Sequence, residues 1–425
     1  MLRVPQKRFR VLALRCRTNQ YEAQALMDQL RQMGWTEAQD HESADLCIVN
    51  TCTVTEGADK SSRAAIRQLA RQHPTSQLVV TGCLAERLPE EVAKIEGVHR
   101  IVSNQDKEKL LEQLFPEESI PEFQIRRFEA HTRAFVKVQD GCNSFCTYCI
   151  IPYVRGRSRS RPLEEIVREV EGLIAQGYRE VVITGINVGD YDGASDPPVR
   201  LAQLVRTLDA LPGLDRLRVS SIDPDEVDEE LEQAILRGEH TCPSMHLVLQ
   251  SGANTVLKRM NRKYTAQCFL QTYERLKAAQ PDFSVTTDVI VGFPGETEEE
   301  FKATCDIVRQ VRFAKVHVFP YSKRARTRAA LYPNQLPHAV IHQRTQELIA
   351  LAERAAFELR EEWVGRATHV LLESQDSHTG IWSGYTPQFL SVEIAGAHLQ
   401  SNQIIEVKLT DNTPSHLIGR EISCC

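Results

Sequence analysis

Asp140-Gly141-Cys142-Asn143-Ser144-Phe145-Cys146-Thr147-Tyr148-Cys149 is the stretch around which the chain is organised, with its cysteines spaced C-x3-C-x2-C. Just before it, Phe135-Val136-Lys137-Val138-Gln139 alternates with period two and predicts a strand. Just after it come Arg155, Arg157, Arg159 and Arg161, then a helix opening at Pro162. Three soft thiolate donors therefore sit on a loop at the C-terminal end of a strand, and such donors suit zinc or an iron–sulfur cluster. A structural zinc site needs a fourth Cys or His to close its tetrahedron. None lies at ligand spacing here; the nearest histidine, His131, precedes the strand. Three thiolates on a four-iron cluster instead leave one iron open to a small molecule.

The same alternation of strand and helix extends in both directions. Upstream, strands are expected at 10–14, 46–50 and 78–81, with helices at about 19–33 and 55–72. Short buried strands alternating with helices imply a parallel sheet with right-handed crossovers. Cys16, Cys52 and Cys83 each follow a strand, so all three fall at the carboxyl edge where ligands bind in such sheets. Cys47 lies inside its strand and reads as a small buried hydrophobe.

Downstream, strands are expected at 135–139, 180–185, 216–221, 245–250, 285–292 and 314–320, with helices between them. Six units are too few to close an eight-stranded barrel, and an open partial barrel fits the count. Its site should lie at the C-terminal strand ends, where Asn187 and Gln250 stand beside glycines and Ser221 follows Ser220. Thr297 with Glu300 reads as a capping box. Cys242, Cys268 and Cys305 share no spacing and are assigned to packing. The basic runs Arg155/157/159/161 and Lys323/Arg324/Arg326/Arg328 both follow strand ends, which favours contact with RNA or a cofactor.

From His338 to Trp363 the pattern is one long amphipathic helix, with Gly365 past its end. Five short strands then follow, at 367–373, 380–384, 388–394, 403–409 and 416–422, which suggests a small β-barrel. Its three basic residues (Arg366, Lys408, Arg420) face six acidic ones (Glu373, Asp376, Glu393, Glu406, Asp411, Glu421). Any RNA binding there would rest on histidines and on aromatics such as Trp382, Tyr385 and Phe389, not on net charge.

Composition fits this reading. The chain has 425 residues, 42% of them hydrophobic, enough for two or three globular cores, and a net charge of −6 gives no global field for nucleic acid. No apolar run approaches a membrane span, and Met1 to Arg10 is basic without an apolar segment, so a cytoplasmic protein is expected. Its twelve cysteines should then be mostly reduced.

The 142–149 loop resembles that of the radical S-adenosylmethionine enzymes, and further motifs resemble the methylthiotransferase family among them. These are Cys16-Arg17-Thr18-Asn19-Gln20-Tyr21-Glu22, Val49-Asn50-Thr51-Cys52-Thr53-Val54 and Val80-Thr81-Gly82-Cys83-Leu84-Ala85-Glu86. Arg15 departs from the glycine usual before the first cysteine. Val248–Ala253 running into Leu257–Thr265, and Asp288–Thr297, resemble further signatures of the family. His317–Arg324 resembles the branch acting on threonylcarbamoyladenosine in tRNA, although Ala325-Arg326-Thr327-Arg328 replaces the usual acidic residue, Gly and Thr-Pro. Gly384-Tyr385-Thr386 before Phe389–Glu393 resembles the TRAM module, an RNA-binding barrel.

The resemblance implies an α/β chain in three parts: an N-terminal domain at 1–125, a radical core at 126–362 and a TRAM-like barrel at 363–425. It implies two [4Fe-4S] clusters. Cys142, Cys146 and Cys149 would hold one, whose open iron chelates S-adenosylmethionine and yields a 5′-deoxyadenosyl radical. Cys16, Cys52 and Cys83 would hold an auxiliary cluster that carries sulfur. Asn187, Ser221 and Gln250 become candidates for contacting S-adenosylmethionine. The implied product is the 2-methylthio form of N6-threonylcarbamoyladenosine at tRNA position 37. The implied partners are tRNA, an electron donor such as flavodoxin or ferredoxin, and a sulfur source, with no membrane. Alternatives are an enzyme acting on isopentenyladenosine tRNA or on a ribosomal-protein aspartate, and a non-catalytic zinc-dependent RNA-binding protein.

Overall fold

The computed structural model describes residues 7–14, 16–127 and 132–422; Arg15, His131 and the Cys424–Cys425 pair lie outside the described residues. The first sheet contains β1 (Arg8–Ala13), β2 (Thr36–Glu37), β3 (Leu46–Thr51), β4 (Gln77–Gly82) and β5 (Val98–Ile101), in the order β2-β1-β3-β4-β5. Every pairing in it is parallel. The central strand β3, Leu-Cys-Ile-Val-Asn-Thr, is buried at every position, as a strand covered on both faces must be. Helices α1 (Arg17–Gln32) and α2 (Glu56–Gln72) make the crossovers after β1 and β3. The three expected strands are present, but β2 and β5 give no apolar signal. β2 has two residues, and β5 is the edge strand Val-His-Arg-Ile, with its two central residues exposed.

The next strands are β6 (Arg133–Lys137), the antiparallel pair β7 (Gln139–Asp140) and β8 (Arg159–Ser160), then β9 (Glu180–Thr184) and β10 (Arg216–Val219). They are followed by β11 (Ser244–His246), β12 (Ser284–Val291) and β13 (Lys315–Pro320). Strands β6, β9 and β10 form one parallel sheet and β11, β12 and β13 another. Single bridges, Leu217 to Thr241 and Ile222 to Leu247, join them into a six-stranded partial barrel. The strand expected at 245–250 ends at His246. Gln250 takes a left-handed backbone (φ +59°), and a Cβ on Gly252 would lie 2.6 Å from the Ala303 carbonyl, so the chain turns inward against the helix Glu298–Val311. That helix starts with the expected Thr297–Glu300 capping box. The barrel's open flank, between β6 and β13, is covered on the β6 side by α1, whose Tyr21 and Ala25 join the barrel core.

After the helix His338–Glu361 come β14 (Ala367–Gln375), β15 (Ile381–Tyr385), β16 (Ser391–Ala395), β17 (Ile404–Asn412) and β18 (Leu417–Glu421), which close into a barrel in the order β14-β15-β16-β18-β17. This barrel docks on the lower end of the larger one. Arg216 donates to the Tyr385 and His369 carbonyls, and Arg218 to those of Thr386 and Pro387. The expected RNA-facing aromatics are therefore used otherwise. Trp382 packs in the small barrel's core, while Tyr385 and Phe389 stack on each other at 4.7 Å beneath Arg133. No helix among the described residues is long and apolar enough to cross a membrane.

Candidate functional site

Both cysteine triplets are brought to one region by local backbone requirements. At the end of β4, Gly82 takes φ +93°, and a Cβ there would lie 2.5 Å from the Thr51 backbone. Only glycine allows this approach, which sets Cys83 beside the β3 end that carries Cys52. Thr51 Oγ1 donates to the Thr81 carbonyl and accepts from the amides of Leu84 and Ala85, capping the turn behind Cys83. Asn19 Nδ2 donates to the Leu14 and Thr51 carbonyls, tying the Cys16 loop to the Cys52 loop. Cys52 feels the charges of both Cys83 and Cys16, so the three strand ends do converge.

The Cys142–Cys149 loop turns at Gly141 (φ +73°), where a Cβ would meet the Arg157 carbonyl at 2.0 Å. Thr147 anchors it by donating from its amide to the Met260 carbonyl and from its hydroxyl to the Arg259 carbonyl. Arg262 Nη1 donates to Cys146 Sγ (3.3 Å) and to Asp223 (3.0 Å). Cys83 from the first sheet and Cys142 and Cys149 from the loop pack into one apolar cluster with Ile150, Ile151 and Val154. The triplets therefore face each other across a few side chains.

The donor set fits iron–sulfur clusters better than zinc. Burial and neighbouring thiols push Cys52 up to about 11 and Cys149 up to about 12, and burial raises Cys83 and Cys142 as well. Thiolates so disfavoured need a bound cation to form. Four sulfurs around one zinc would stand about 3.8 Å apart. Among the described residues, however, only His246, Asp288 and His317 bring three such ligand atoms within 4.8 Å of one another. Each sulfur triplet is wider than that and leaves room for a larger inorganic core.

Of the three candidates for contacting S-adenosylmethionine, Asn187 is tied to the cysteine loop. Its amide donates to Gln139 Oε1 (2.9 Å), and Gln139 Nε2 donates to the Gly141 carbonyl. Its side chain donates to Glu226 (2.8 Å), which burial and then Asp223 push up to about 7. Ser221 is half-buried just past β10. Gln250 is buried, and among the described residues its Oε1 has no hydrogen-bond partner.

The basic runs correct an expectation. Arg155 is 1% exposed and bonds Glu22, Asp140 and Asn19. Arg161 is held by Glu169 and Tyr21, and Arg324 is buried against Asp59. These three are structural ties between parts of the fold. Arg157, Arg159, Lys323, Arg326 and Arg328 remain exposed. Sequence reading missed Glu22, Lys107 and Gln139, because a buried ion or amide partner leaves no periodic signal.

This partial barrel, with its three-cysteine loop at the strand ends, defines a radical S-adenosylmethionine enzyme. The family model of the Radical SAM superfamily matches residues 136–308, and that of Uncharacterized protein family UPF0004 matches residues 8–103. Threonylcarbamoyladenosine tRNA methylthiotransferase MtaB of Chlamydia pneumoniae is 48% identical over 97% of both chains. The protein of the same name from Bacillus subtilis (strain 168) is 38% identical over 93% of this chain and 92% of its own. A tRNA-2-methylthio-N(6)-dimethylallyladenosine synthase of Caldicellulosiruptor saccharolyticus is 33% identical over 95% of this chain and 88% of its own. Among solved structures, the radical S-adenosylmethionine methyltransferase TsrM from Kitasatospora setae shares the fold with TM-score 0.56 and 16% identity, over 75% of each chain. The chain belongs to the radical S-adenosylmethionine methylthiotransferase family and is an enzyme of the transferase class.

Proposed function

We propose that the protein methylthiolates C2 of N6-threonylcarbamoyladenosine at position 37 of tRNA. The observation that carries this reading is near-full-length similarity, at 48% and 38% identity, to two proteins named for that activity. In this reading residues 1–125 form an auxiliary-cluster domain, 126–362 the radical core and 363–425 the TRAM-like barrel. Cys142, Cys146 and Cys149 would hold one four-iron cluster, and Asn187, Ser221 and Gln250 would contact S-adenosylmethionine. Cys16, Cys52 and Cys83 hold the second. An aromatic C–H is too weakly acidic for base catalysis, and the bound clusters with S-adenosylmethionine supply one-electron chemistry instead.

The chain's own residues bind, orient and exclude water. Arg262 donates a hydrogen bond to Cys146 Sγ, and Gln139 joins the cysteine loop to the loop of Asn187. The apolar cluster of Cys83, Ile150, Ile151 and Val154 supports this reading, since it keeps bulk water from between the two metal sites. Exposed Arg157, Arg159, Lys323, Arg326 and Arg328 suit the phosphates of an anticodon stem-loop. The partners in this reading are tRNA, an electron donor such as flavodoxin or ferredoxin, and a sulfur source.

Nucleoside mass spectrometry of tRNA from cells with and without the gene tests the reading. Loss should leave threonylcarbamoyladenosine without its methylthio group and leave methylthiolated isopentenyladenosine unchanged. Loss of the isopentenyl product, or of a modified ribosomal protein, would overturn the reading.

A further inference from the structure

A small cavity of about 30 Å³, open to solvent in the flank of the partial barrel, is lined by Arg17, Arg133, Arg218, His246, Thr286 and His317, among others. Its charged groups are nearly all paired. Arg133 is bound to Glu373. Arg216 and Arg218 share Glu180, and His246 lies 3.3 Å from Asp288. Arg17 differs: it stacks over Phe135 at 5.6 Å from the ring centre, but among the described residues its guanidinium has no hydrogen-bonded or ion-paired partner. It is the first residue of α1, whose first turn holds no acidic side chain. Leaving imidazoles aside, four guanidiniums (Arg17, Arg133, Arg216, Arg218) meet three carboxylates (Glu180, Asp288, Glu373), and one positive charge is left over. The close triad of His246, Asp288 and His317 would otherwise resemble a cation site, but the surplus arginine favours an anion instead.

Position supplies the second argument. Arg17 is bonded in sequence to Cys16, so its Cα stands about 3.8 Å from that residue's. In adenine, C2 and C6 both flank N1, so a substituent on N6 lies along the same ring edge as C2. If C2 faces the auxiliary site, an acid carried on N6 falls within reach of the next residue. A half-buried guanidinium without a protein partner is well suited to take a carboxylate, through two parallel hydrogen bonds.

We propose that Arg17 receives the carboxylate of the threonylcarbamoyl group, making it a specificity-determining residue for an anionic N6 substituent. The proposal rests on the substrate reading above. His317 lines the same cavity and is available to the carbamoyl part, whereas the Thr286 hydroxyl is already bonded to His246 (2.9 Å).

The test is equilibrium binding of anticodon stem-loop RNA to anaerobically reconstituted enzyme. Three RNAs are compared: one with N6-threonylcarbamoyladenosine, one with its threonyl methyl ester and one with isopentenyladenosine. Wild type should bind the acid at least tenfold more tightly than the ester. Arg17→Gln should lose that preference while binding the ester as wild type does, and Arg17→Lys should keep part of it. Iron content is measured for each variant. Equal affinity of wild type for acid and ester would overturn the proposal without any variant. So would an iron-replete Arg17→Gln protein that keeps the preference, or one that weakens on acid and ester alike. Wild type that methylthiolates only the isopentenyl RNA would instead overturn the substrate reading, a distinct outcome.

Discussion

Cys142, Cys146 and Cys149 share one loop, whereas Cys16, Cys52 and Cys83 come from three strand ends far apart in sequence. The first triplet is set by its own turn, fixed by Gly141 and held by Thr147. The second exists only once β1, β3 and β4 are in register and Gly82 has closed on Thr51. A chelate local in sequence can survive loosening of its surroundings, while one assembled by a sheet cannot. The two sites should therefore respond differently to the same kind of damage.

The largest effect is expected from removing the ligands themselves. Reconstituted wild type should hold about eight irons, and either triple Cys→Ala protein about four. With dithionite and substrate RNA, the Cys142/Cys146/Cys149 variant should form neither 5′-deoxyadenosine nor methylthiolated nucleoside. The Cys16/Cys52/Cys83 variant should still form 5′-deoxyadenosine but no methylthiolated product. Circular dichroism and gel filtration must first show that each variant is folded, because a lost cluster can unfold its domain. A folded N-terminal variant that methylthiolates near the wild-type rate would show that its cysteines have no part in the reaction.

The same contrast explains what the sequence disclosed. Spacing marked the local triplet as candidate metal ligands, and the shared carboxyl edge of parallel strands allowed the dispersed one to converge; the assignment of both as cluster ligands came from the family resemblance. All five strands of the small barrel were legible because each alternates between turns. What failed was whatever depends on a distant partner. Arg155 and Arg324 looked like phosphate contacts within basic runs, but each is buried against a carboxylate from the first domain. Tyr385 and Phe389 looked like RNA contacts, but they close the underside of the larger barrel. Charge and aromaticity can be read from one segment; burial requires the other.

An intermediate effect tests how strongly the two sites are coupled. Glu22 on α1 is 1% exposed and bonds Lys107 (2.6 Å) and Arg155 (2.9 Å), the latter just past the cysteine loop. These cations hold its carboxyl well below the usual range despite burial. Glu22→Gln leaves Lys107 buried without its counter-charge and Arg155 with Asp140 alone, which should cost about 3–5 kcal/mol in denaturant unfolding. Iron should be lost first from the sheet-built site, because Asn50 Nδ2 also donates to Glu22. Destabilisation below about 1 kcal/mol would mean that water or relaxation replaces the lost charge.

The smallest expected effect lies on the local side and is read through pH. Glu226 accepts from Asn187 and from the Asp223 amide, in a pocket that Gly189 leaves open; a Cβ there would strike the carboxyl at 2.1 Å. Burial and the charge of Asp223 push Glu226 up to about 7 from an ordinary 4.5. Below the unfolded value both states hold the proton, and the group contributes nothing. As pH rises from there to the folded value, the unfolded chain releases its proton first, so folding loses stability. Above about 7 the penalty is constant, about 3 kcal/mol. Glu226→Gln keeps the oxygen that Asn187 needs and cannot ionise. It should therefore stabilise the protein, measured without S-adenosylmethionine, by about that amount at pH 8, with the gain fading toward pH 5. A gain equal at both pH values would mean that Glu226 ionises normally, and the loop of Asn187 would then carry a full negative charge facing the Cys146–Arg262–Asp223 chain.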